Sequence, residues 1–137
     1  MTRIGRAFLG IALALSLAGP LAAQEESEEP APTVELPPPI YEDKLLRLAE
    51  ILGSLSFLRE LCGEDDGAVW RSEMNALLTA EDPGPQRRQR LVARFNHGFE
   101  TYNAVYRSCT PSAVRAIGRY LKEGQALASD VRSRYSQ

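Results

Sequence analysis

From residue 41 onward the apolar residues recur at helical spacing, and this pattern most constrains the fold of the chain. Residues three and four apart lie on one side of an α-helix, whereas a half-buried strand requires alternation. No convincing alternation of the strand type occurs in this part of the sequence. The sequence therefore predicts an all-α domain. The first apolar stripe consists of Leu45, Leu48, Leu52, Leu55 and Cys62.

A second apolar stripe lies on another side of the same first helix and consists of Leu46, Phe57 and Leu61. A helix that is apolar on two sides packs against neighbours on both of them. We therefore expect the first helix to lie centrally in the domain. Gly63 follows as its stop, because glycine accepts the left-handed conformation found just after many helices.

A second, shorter helix is predicted after the turn at Asp65-Asp66-Gly67, where an aspartate can cap its first turn. Its apolar residues are Trp70, Met74 and Leu77. The stretch AEDPGP at residues 80–85 then reads as a loop, since proline and glycine interrupt helices.

The rest of the chain divides into a third and a fourth helix. The third is predicted from Gln86 to Cys109. Thr110-Pro111 combines a capping residue with a first-turn proline and begins the fourth, which continues to about Tyr135. The result is a four-helix domain with short connections, for which antiparallel neighbours are the default.

The N-terminus has the order of a secretory signal peptide, predicted at residues 1–23. A short basic segment at 1–6 precedes an uncharged, mostly apolar run at 7–18, and a small residue stands before a cut at Ala23. The apolar run is shorter than the ~20 residues that span a bilayer. We expect an exported, periplasmic protein with no transmembrane segment after signal cleavage.

Residues 24–40 differ in composition from the domain at 41–137. They contain five glutamates and five prolines but no lysine or arginine. Such a segment cannot bury a core, so it is predicted to be a disordered acidic, proline-rich tether. The acidity of the chain, whose net charge is −2, lies in this tether. The domain has no basic excess that would favour nucleic acid binding.

The two cysteines, Cys62 and Cys109, are predicted to form a disulfide. An even cysteine count in an exported chain favours this, and both residues end parallel helices at the same pole of an antiparallel bundle. The competing interpretation is a Cys–His catalytic site with His97. His97 lies twelve residues from Cys109, which is about 18 Å along a helix. His97 with Cys62 stays conceivable, although Cys62 is predicted to point inward and His97 outward.

Cofactor and metal sites are not predicted. Two cysteines and one distant histidine lack the closed set of four ligands that structural zinc requires. The sequence has no haem-attachment motif, glycine-rich phosphate loop, metalloprotease motif or nucleophile elbow. No catalytic residue is assigned.

Two groups of residues are candidates for binding. Four arginines crowd the start of the third helix and form a possible partner or anion patch, unless Glu81 and Asp82 upstream simply balance them. A possible ligand pocket combines an arginine on the first helix with two tyrosines, unless the arginine pairs with an acid and the tyrosines belong to the core. The patch is Arg87, Arg88, Arg90 and Arg94, and the pocket is Arg59, Tyr102 and Tyr106.

Several glycines lie inside the predicted helices, where each costs about 1 kcal/mol relative to alanine. Close helix–helix approach is the simplest reason for them, and a kink at a ligand site is the alternative. These glycines are Gly53, Gly98, Gly118 and Gly124.

The chain also resembles a family of small exported alphaproteobacterial proteins classed as a domain of unknown function. The resemblance rests on the segments LLRLAEILGSLSFLRELCG, WRSEM, RRQRLVARFNHGF, YRSCT and YLKEGQALASD, and covers about Tyr41 to Tyr135. It implies an exported, all-helical domain in which Cys62 and Cys109 are recurring positions. It implies no activity, cofactor or catalytic residue.

We therefore expect a non-enzymatic exported domain that acts through contacts with a protein or an envelope component. One alternative is a periplasmic stress chaperone, which a reversible acid response by unfolding would favour. A second alternative is a small-molecule binding protein, which a sizeable apolar cavity between helices would favour.

Overall fold

The computed structural model describes residues 36–135 and contains four α-helices and no strand in this range. The helices are α1 (Glu42–Leu61), α2 (Gly67–Glu81), α3 (Pro85–Asn103) and α4 (Pro111–Tyr135). The predicted all-α, four-helix class is confirmed. The predicted signal peptide, residues 24–35 of the predicted tether and residues 136–137 lie outside the described residues, and residues 36–39 precede α1 without secondary structure.

Helix α1 lies at the centre of the domain. It packs against each of the other three helices, whereas α2 and α3 meet over a short stretch and α4 meets α3 through the side chains of Tyr120 and Tyr102. Its buried residues lie on more than one side of the helix and include Ile51, Leu55 and Leu58. The central position expected from the two apolar stripes is therefore confirmed.

Helices α1 and α3 run in the same direction. An ion pair joins Glu42 to Arg87 near the two helix starts, and a disulfide joins Cys62 to Cys109 beyond the two helix ends. Both cysteines therefore lie at one pole of the domain, as the antiparallel connection of successive helices predicts.

Helix α4 runs in the opposite direction to α1. The ammonium of Lys44, in the first turn of α1, pairs with the carboxylate of Asp130 near the end of α4. Close to this pair the rings of Tyr41 and Tyr135 stack with their centroids 4.8 Å apart. These contacts hold the beginning of the central helix to the last turns of the domain.

The core forms two buried clusters along α1. The first lies between α1, α2 and α3, and the second lies between α1 and α4 near the disulfide pole. The first contains Leu45, Ala49, Leu52, Met74, Leu78 and Leu91, and the second contains Leu58, Ala113 and Ala116. Partly buried aromatic rings extend both clusters, namely Tyr41, Trp70 and Phe95 at the first and Phe57, Tyr102, Tyr106 and Tyr120 at the second.

Two of the helical glycines allow close contact between α1 and α3. A Cβ at Gly53 would lie 2.8 Å from the carbonyl carbon of Phe95, and one at Gly98 would lie 2.9 Å from that of Glu50. Carbon atoms do not approach main-chain atoms so closely, so these positions require glycine. The expected close approach is confirmed here, whereas a Cβ at Gly118 would meet no atom within 4 Å.

Helix α3 ends earlier than predicted. It stops at Asn103 and not at Cys109, and residues 104–110 form the connection to α4. The predicted end was wrong because α4 begins at Pro111, and a reversal of chain direction between antiparallel helices needs several residues. Cys109 consequently lies exposed on this connection and does not point into the core.

The predicted positions of the helix starts are confirmed, but one of the two predicted capping residues does not form its capping hydrogen bond. Thr110 Oγ1 accepts a hydrogen bond from the backbone N–H of Ala113 at 3.1 Å, as a capping residue should. Asp66 precedes α2 but makes no side-chain cap bond. Its carboxylate instead accepts hydrogen bonds from Arg59 Nε at 2.6 Å and Trp70 Nε1 at 3.2 Å, which leaves it turned toward α1.

The surface of the described domain is largely polar. Helix α3, for example, exposes Arg88, Gln89 and Arg90 in succession. Within residues 36–135 every helix falls short of the combined length and apolar character that crossing a membrane requires.

Candidate functional site

The disulfide between Cys62 and Cys109 removes both sulfurs from consideration as nucleophiles or ligands. Their Cα atoms lie 4.7 Å apart and the bond closes a separation of 47 residues. The described domain has no free cysteine. Among residues 36–135 no group of three or more histidine, cysteine or carboxylate side chains is arranged to hold a metal ion.

Arg87 does not belong to an exposed patch with the other arginines. Its side chain is 10 % exposed and donates hydrogen bonds from Nε to Glu42 at 2.5 Å and from Nη2 to Glu81 at 2.6 Å. Both carboxylates raise the pKa of the guanidinium, against the effect of its burial. Arg87 therefore joins the starts of α1 and α3 to the end of α2. The local sequence does not distinguish Arg87 from the neighbouring arginines, so this role could not be read from it.

The remaining three arginines of the predicted patch lie on two edges of α3. Arg90 and Arg94 line a hollow of about 380 Å³ beside α1, together with Leu46 and His97. Arg94 lies 3.5 Å from the carboxylate of Glu50. Arg88 is exposed, but two residues of helix place it about 200° around the axis from Arg90, on the edge away from this hollow.

The predicted pocket of Arg59, Tyr102 and Tyr106 is not assembled in the described domain. Arg59 pairs with Asp66 at 2.5 Å and lies over the ring of Trp70, with 5.8 Å from the guanidinium carbon to the ring centroid. The hydrogen bond from Arg59 lowers the pKa of the Asp66 carboxyl group. The structure therefore agrees with the simpler interpretation, in which Arg59 pairs with an acid.

Tyr102 and Tyr106 lie elsewhere, in a hollow of about 250 Å³ between the end of α3 and the start of α4 that Arg115 and Arg119 also line. The hydroxyls of Tyr102 and Tyr120 lie 2.7 Å apart. Burial, followed by this hydrogen bond, raises the pKa of Tyr102 to about 12. The pair Tyr102 and Tyr120 thus joins α3 to α4 at the disulfide pole.

Two glutamates, Glu50 on α1 and Glu123 on α4, are held by an arginine between them. Arg47 donates to Glu123 from Nε at 2.7 Å and from Nη2 at 3.0 Å, and to Glu50 from Nη1 at 2.9 Å. The hydrogen bonds from Arg47 lower the pKa of Glu123. A carboxylate whose pKa is lowered by an ion pair is a poor proton donor near neutral pH, so this cluster fits a structural role.

An apolar groove lies between α2 and α4, with α1 as its floor. Its volume is about 600 Å³. The floor is aliphatic and the walls are formed mainly by small and apolar residues. The floor is Leu48, Ile51, Leu52 and Leu55; the α2 wall is Val69, Trp70, Glu73, Ala76, Leu77 and Ala80; the α4 wall is Tyr120, Leu121, Gly124, Gln125 and Ala128.

A smaller hollow continues the groove toward the end of α4. It has a volume of about 240 Å³ and shares Leu48, Leu77, Ala80 and Ala128 with the groove. Glu81 and Arg132 are its charged lining residues. We call the two hollows together the α2–α4 groove.

The sequence signal for the α2–α4 groove lies in exposed apolar residues at helical spacing. Val69 is 53 % exposed. Leu121 and Ala128 are seven residues apart and so share one side of α4, as Val69 and Ala76 do on α2. Apolar periodicity alone does not show which apolar side of a helix lacks a partner.

Searches of curated proteins and of solved structures find no match. A family model described as a protein of unknown function (DUF2385) matches residues 39–135, the range that contains all four helices and the disulfide. The chain belongs to this family.

Proposed function

We propose that the chain is an exported, non-enzymatic helical domain that binds a protein or a component of the cell envelope, and that the α2–α4 groove is its binding surface. The observation that carries this proposal is the groove itself. It holds about 600 Å³ of apolar space, and Val69 on its wall is half exposed. Concave apolar surfaces between the helices of a bundle are a common location for binding sites.

Binding suits the lining better than catalysis does. Among the described residues that line the main groove, Glu73 is the one carboxylate, and the other polar groups are those of Trp70, Tyr120 and Gln125. General acid–base chemistry requires at least one positioned group with a tuned pKa near its substrate. Glu73 is exposed to solvent on the groove wall.

Export is supported by two features of the chain. Residues 1–23 have the order of a secretory signal peptide. The disulfide between Cys62 and Cys109 is of the kind that persists in oxidising compartments such as the periplasm.

Small-molecule binding is the second candidate, because the groove volume falls within the roughly 300–1,000 Å³ of ligand pockets. Pockets of that class also place several polar groups around the ligand. The groove is long, open to solvent and apolar, so a protein surface or an envelope component fits it better.

Site-specific photo-crosslinking in cells tests the proposal. A photoreactive amino acid at Ala76, which is exposed on the groove wall, should give partner adducts, whereas one at Ala126, exposed on α4 outside the groove, should not. Introducing Gly124→Leu beside the Ala76 probe fills the groove and should remove the adducts. Adducts of equal yield at both positions would contradict a groove-specific contact.

The same cells test export. N-terminal sequencing of the protein released from the periplasm should begin at Gln24, the residue after the predicted cut. Recovery of the uncleaved chain in the cytosolic fraction would contradict export.

A further inference from the structure

We infer that the occupant of the α2–α4 groove is an amphipathic α-helix of a partner protein, with a basic residue facing Glu73 and an acidic residue facing Arg132. This inference rests on the proposed function and names its partner. It follows from the arrangement of the helices, the side chains of the groove walls, the length of the groove and its charges.

The arrangement of helices leaves the two walls of the groove apart in the described domain. Helices α2 and α4 both run antiparallel to α1 and both line the groove, but their main chains do not come close to each other. Helix α3 lies against α1 through Gly53 and Gly98 and does not line the groove. The floor residues Ile51, Leu52 and Leu55 are already buried, so an incoming helix would lie along the α2 and α4 walls above them.

Small residues on both walls leave room for a helix to approach. Ala76 and Ala80 project from α2, and Gly124 and Ala128 line the α4 wall. Packed helices lie about 8–10 Å apart, and the shorter distances require small side chains at the contact. Larger residues on the incoming helix would then contact the half-buried side chains of Leu48 and Leu77, which also line the groove.

The length of the groove matches a short helix. Val69 and Ala80 mark its extent on α2, and their separation of eleven residues corresponds to about 17 Å of helix. An occupant of about three turns fills this length. Its contacts are expected at positions i, i+3, i+4 and i+7, the spacing used by helices that bind in apolar grooves.

An acyl chain or a small organic ligand fits the groove less well. Sites for such ligands bury most of the ligand surface and orient it with a few convergent polar groups. The described lining offers Glu73 and Gln125 on the exposed rim, and both are open to solvent. A helix needs no such enclosure, because it satisfies its own backbone hydrogen bonds and leaves its polar side in water.

The charges of the walls define the flanks of the occupant. Glu73 is exposed on the α2 wall, and Arg132 is exposed on the α4 side of the adjoining hollow. Ala80 lines that same hollow and lies seven residues, or about 10 Å, beyond Glu73 along α2. An incoming helix with a base facing α2 and an acid facing α4, about two turns apart, complements both charges.

A library of helical peptides tests the inference directly. Peptides of about 14 residues with randomised surface positions would be displayed and selected on the full mature chain. Selection should enrich leucine-type residues at i, i+3, i+4 and i+7 with a lysine or arginine on one flank. Trp70 is the single tryptophan of the chain and lines the groove, so its fluorescence should shift saturably as a selected peptide binds.

Matched variants separate groove binding from other contacts. Ala76→Arg should weaken peptide binding at least about tenfold, whereas Ala126→Arg should leave it unchanged, since both alanines are exposed but only Ala76 lines the groove. Glu73→Lys should weaken binding, and a peptide whose flanking lysine is changed to glutamate should restore it. A proline in the middle of the peptide should abolish binding, because it breaks the helix.

Other outcomes overturn the inference in distinguishable ways. If no helical peptide is enriched but a fatty acid shifts Trp70 fluorescence in the wild type and not in Ala76→Arg, the groove binds a different ligand and the proposed function survives. Concentration-dependent dimerisation that Ala76→Arg abolishes would make the occupant a second copy of the chain. If Ala76→Arg leaves peptide binding unchanged and Gly124→Leu leaves the crosslinks from the Ala76 probe unchanged, both the inference and the proposed function are wrong.

Discussion

Gly98 on α3 lies against Glu50 on α1 so closely that a Cβ at Gly98 would sit 2.9 Å from the Glu50 carbonyl carbon. Gly53 stands in the reciprocal position against Phe95. The two main chains are therefore in direct contact, and any sliding of α3 along α1 would place side chains where only glycine fits. This pair of contacts determines the register in which α3 presents Arg87 to Glu42.

Gly98→Ala should destabilise the domain by about 1–3 kcal/mol, because the added methyl group forces the two helices apart. Gly118→Ala is the matched control. It lies inside α4 with no atom within 4 Å of its Cβ position, so it should stabilise the domain by about 0.5–1 kcal/mol. Urea unfolding of both variants checks the prediction, and equal effects would mean that helix separation is not limited by Gly98.

Cys62→Ser should reduce the stability of the domain by about 4 kcal/mol, the loop-closure value for a separation of 47 residues. Cys109→Ser should have a similar effect, and the double variant should cost about as much as either single one, since one bond is lost in each case. Thiol titration in denaturant should find no free thiol in the wild type. Additive losses in the double variant would show that the two cysteines stabilise the fold independently.

Arg87→Met should destabilise the domain by about 3–5 kcal/mol, because it leaves the carboxylates of Glu42 and Glu81 buried without their partner. Arg88→Met, one residue along α3, should change stability by less than about 0.5 kcal/mol, since that side chain is exposed. Thermal unfolding of the two variants measures the difference. Similar melting temperatures of the two variants would contradict the prediction, because Arg87 would then stabilise the domain no more than an exposed arginine does.

Acid should weaken the contact between α1 and the start of α2. The hydrogen bond from Arg59 lowers the pKa of Asp66 below the ordinary aspartate pKa of about 4. The stabilisation from its ionised form is therefore complete above that ordinary value and is lost as the pH falls through the lower pKa of the folded state. As the pH falls from neutral to about 2, the free energy of unfolding should decrease more for the wild type than for the Asp66→Asn variant.

The measurement is the urea midpoint at each pH, followed by the fluorescence of Trp70, whose ring nitrogen donates to Asp66. Asp43→Asn is the control for replacing an exposed aspartate outside the Arg59–Asp66 pair. Parallel pH profiles for wild type and Asp66→Asn would contradict the prediction.

Local patterns predicted the helices because each pattern acts within a few turns of chain. The two apolar stripes around Leu52 and Phe57 required α1 to have neighbours on both sides, and Thr110 capped α4 through a bond to a residue three positions away. The cysteines could be paired because an antiparallel order of helices places Cys62 and Cys109 at one pole.

Features that depend on distant partners could not be predicted in the same way. Arg87 and Arg88 are adjacent and chemically identical, and only the positions of Glu42 and Glu81 in space distinguish the buried one from the exposed one. The end of α3 was misplaced because residues 104–108 contain no proline or glycine, so the stop comes from the path to α4. The α2–α4 groove depends on the separation of two helices that a one-dimensional pattern does not contain.

The central position of α1 has a consequence for how the domain folds. Since α2, α3 and α4 pack on α1 far more than on one another, none of them has a stable partner until α1 is helical. We expect substitutions at buried α1 positions such as Leu55 to slow folding, and those at α4 positions such as Ala113 mainly to speed unfolding. Because α1 is also the first of the four described helices along the chain, α2, α3 and α4 are synthesised after the surface on which they pack.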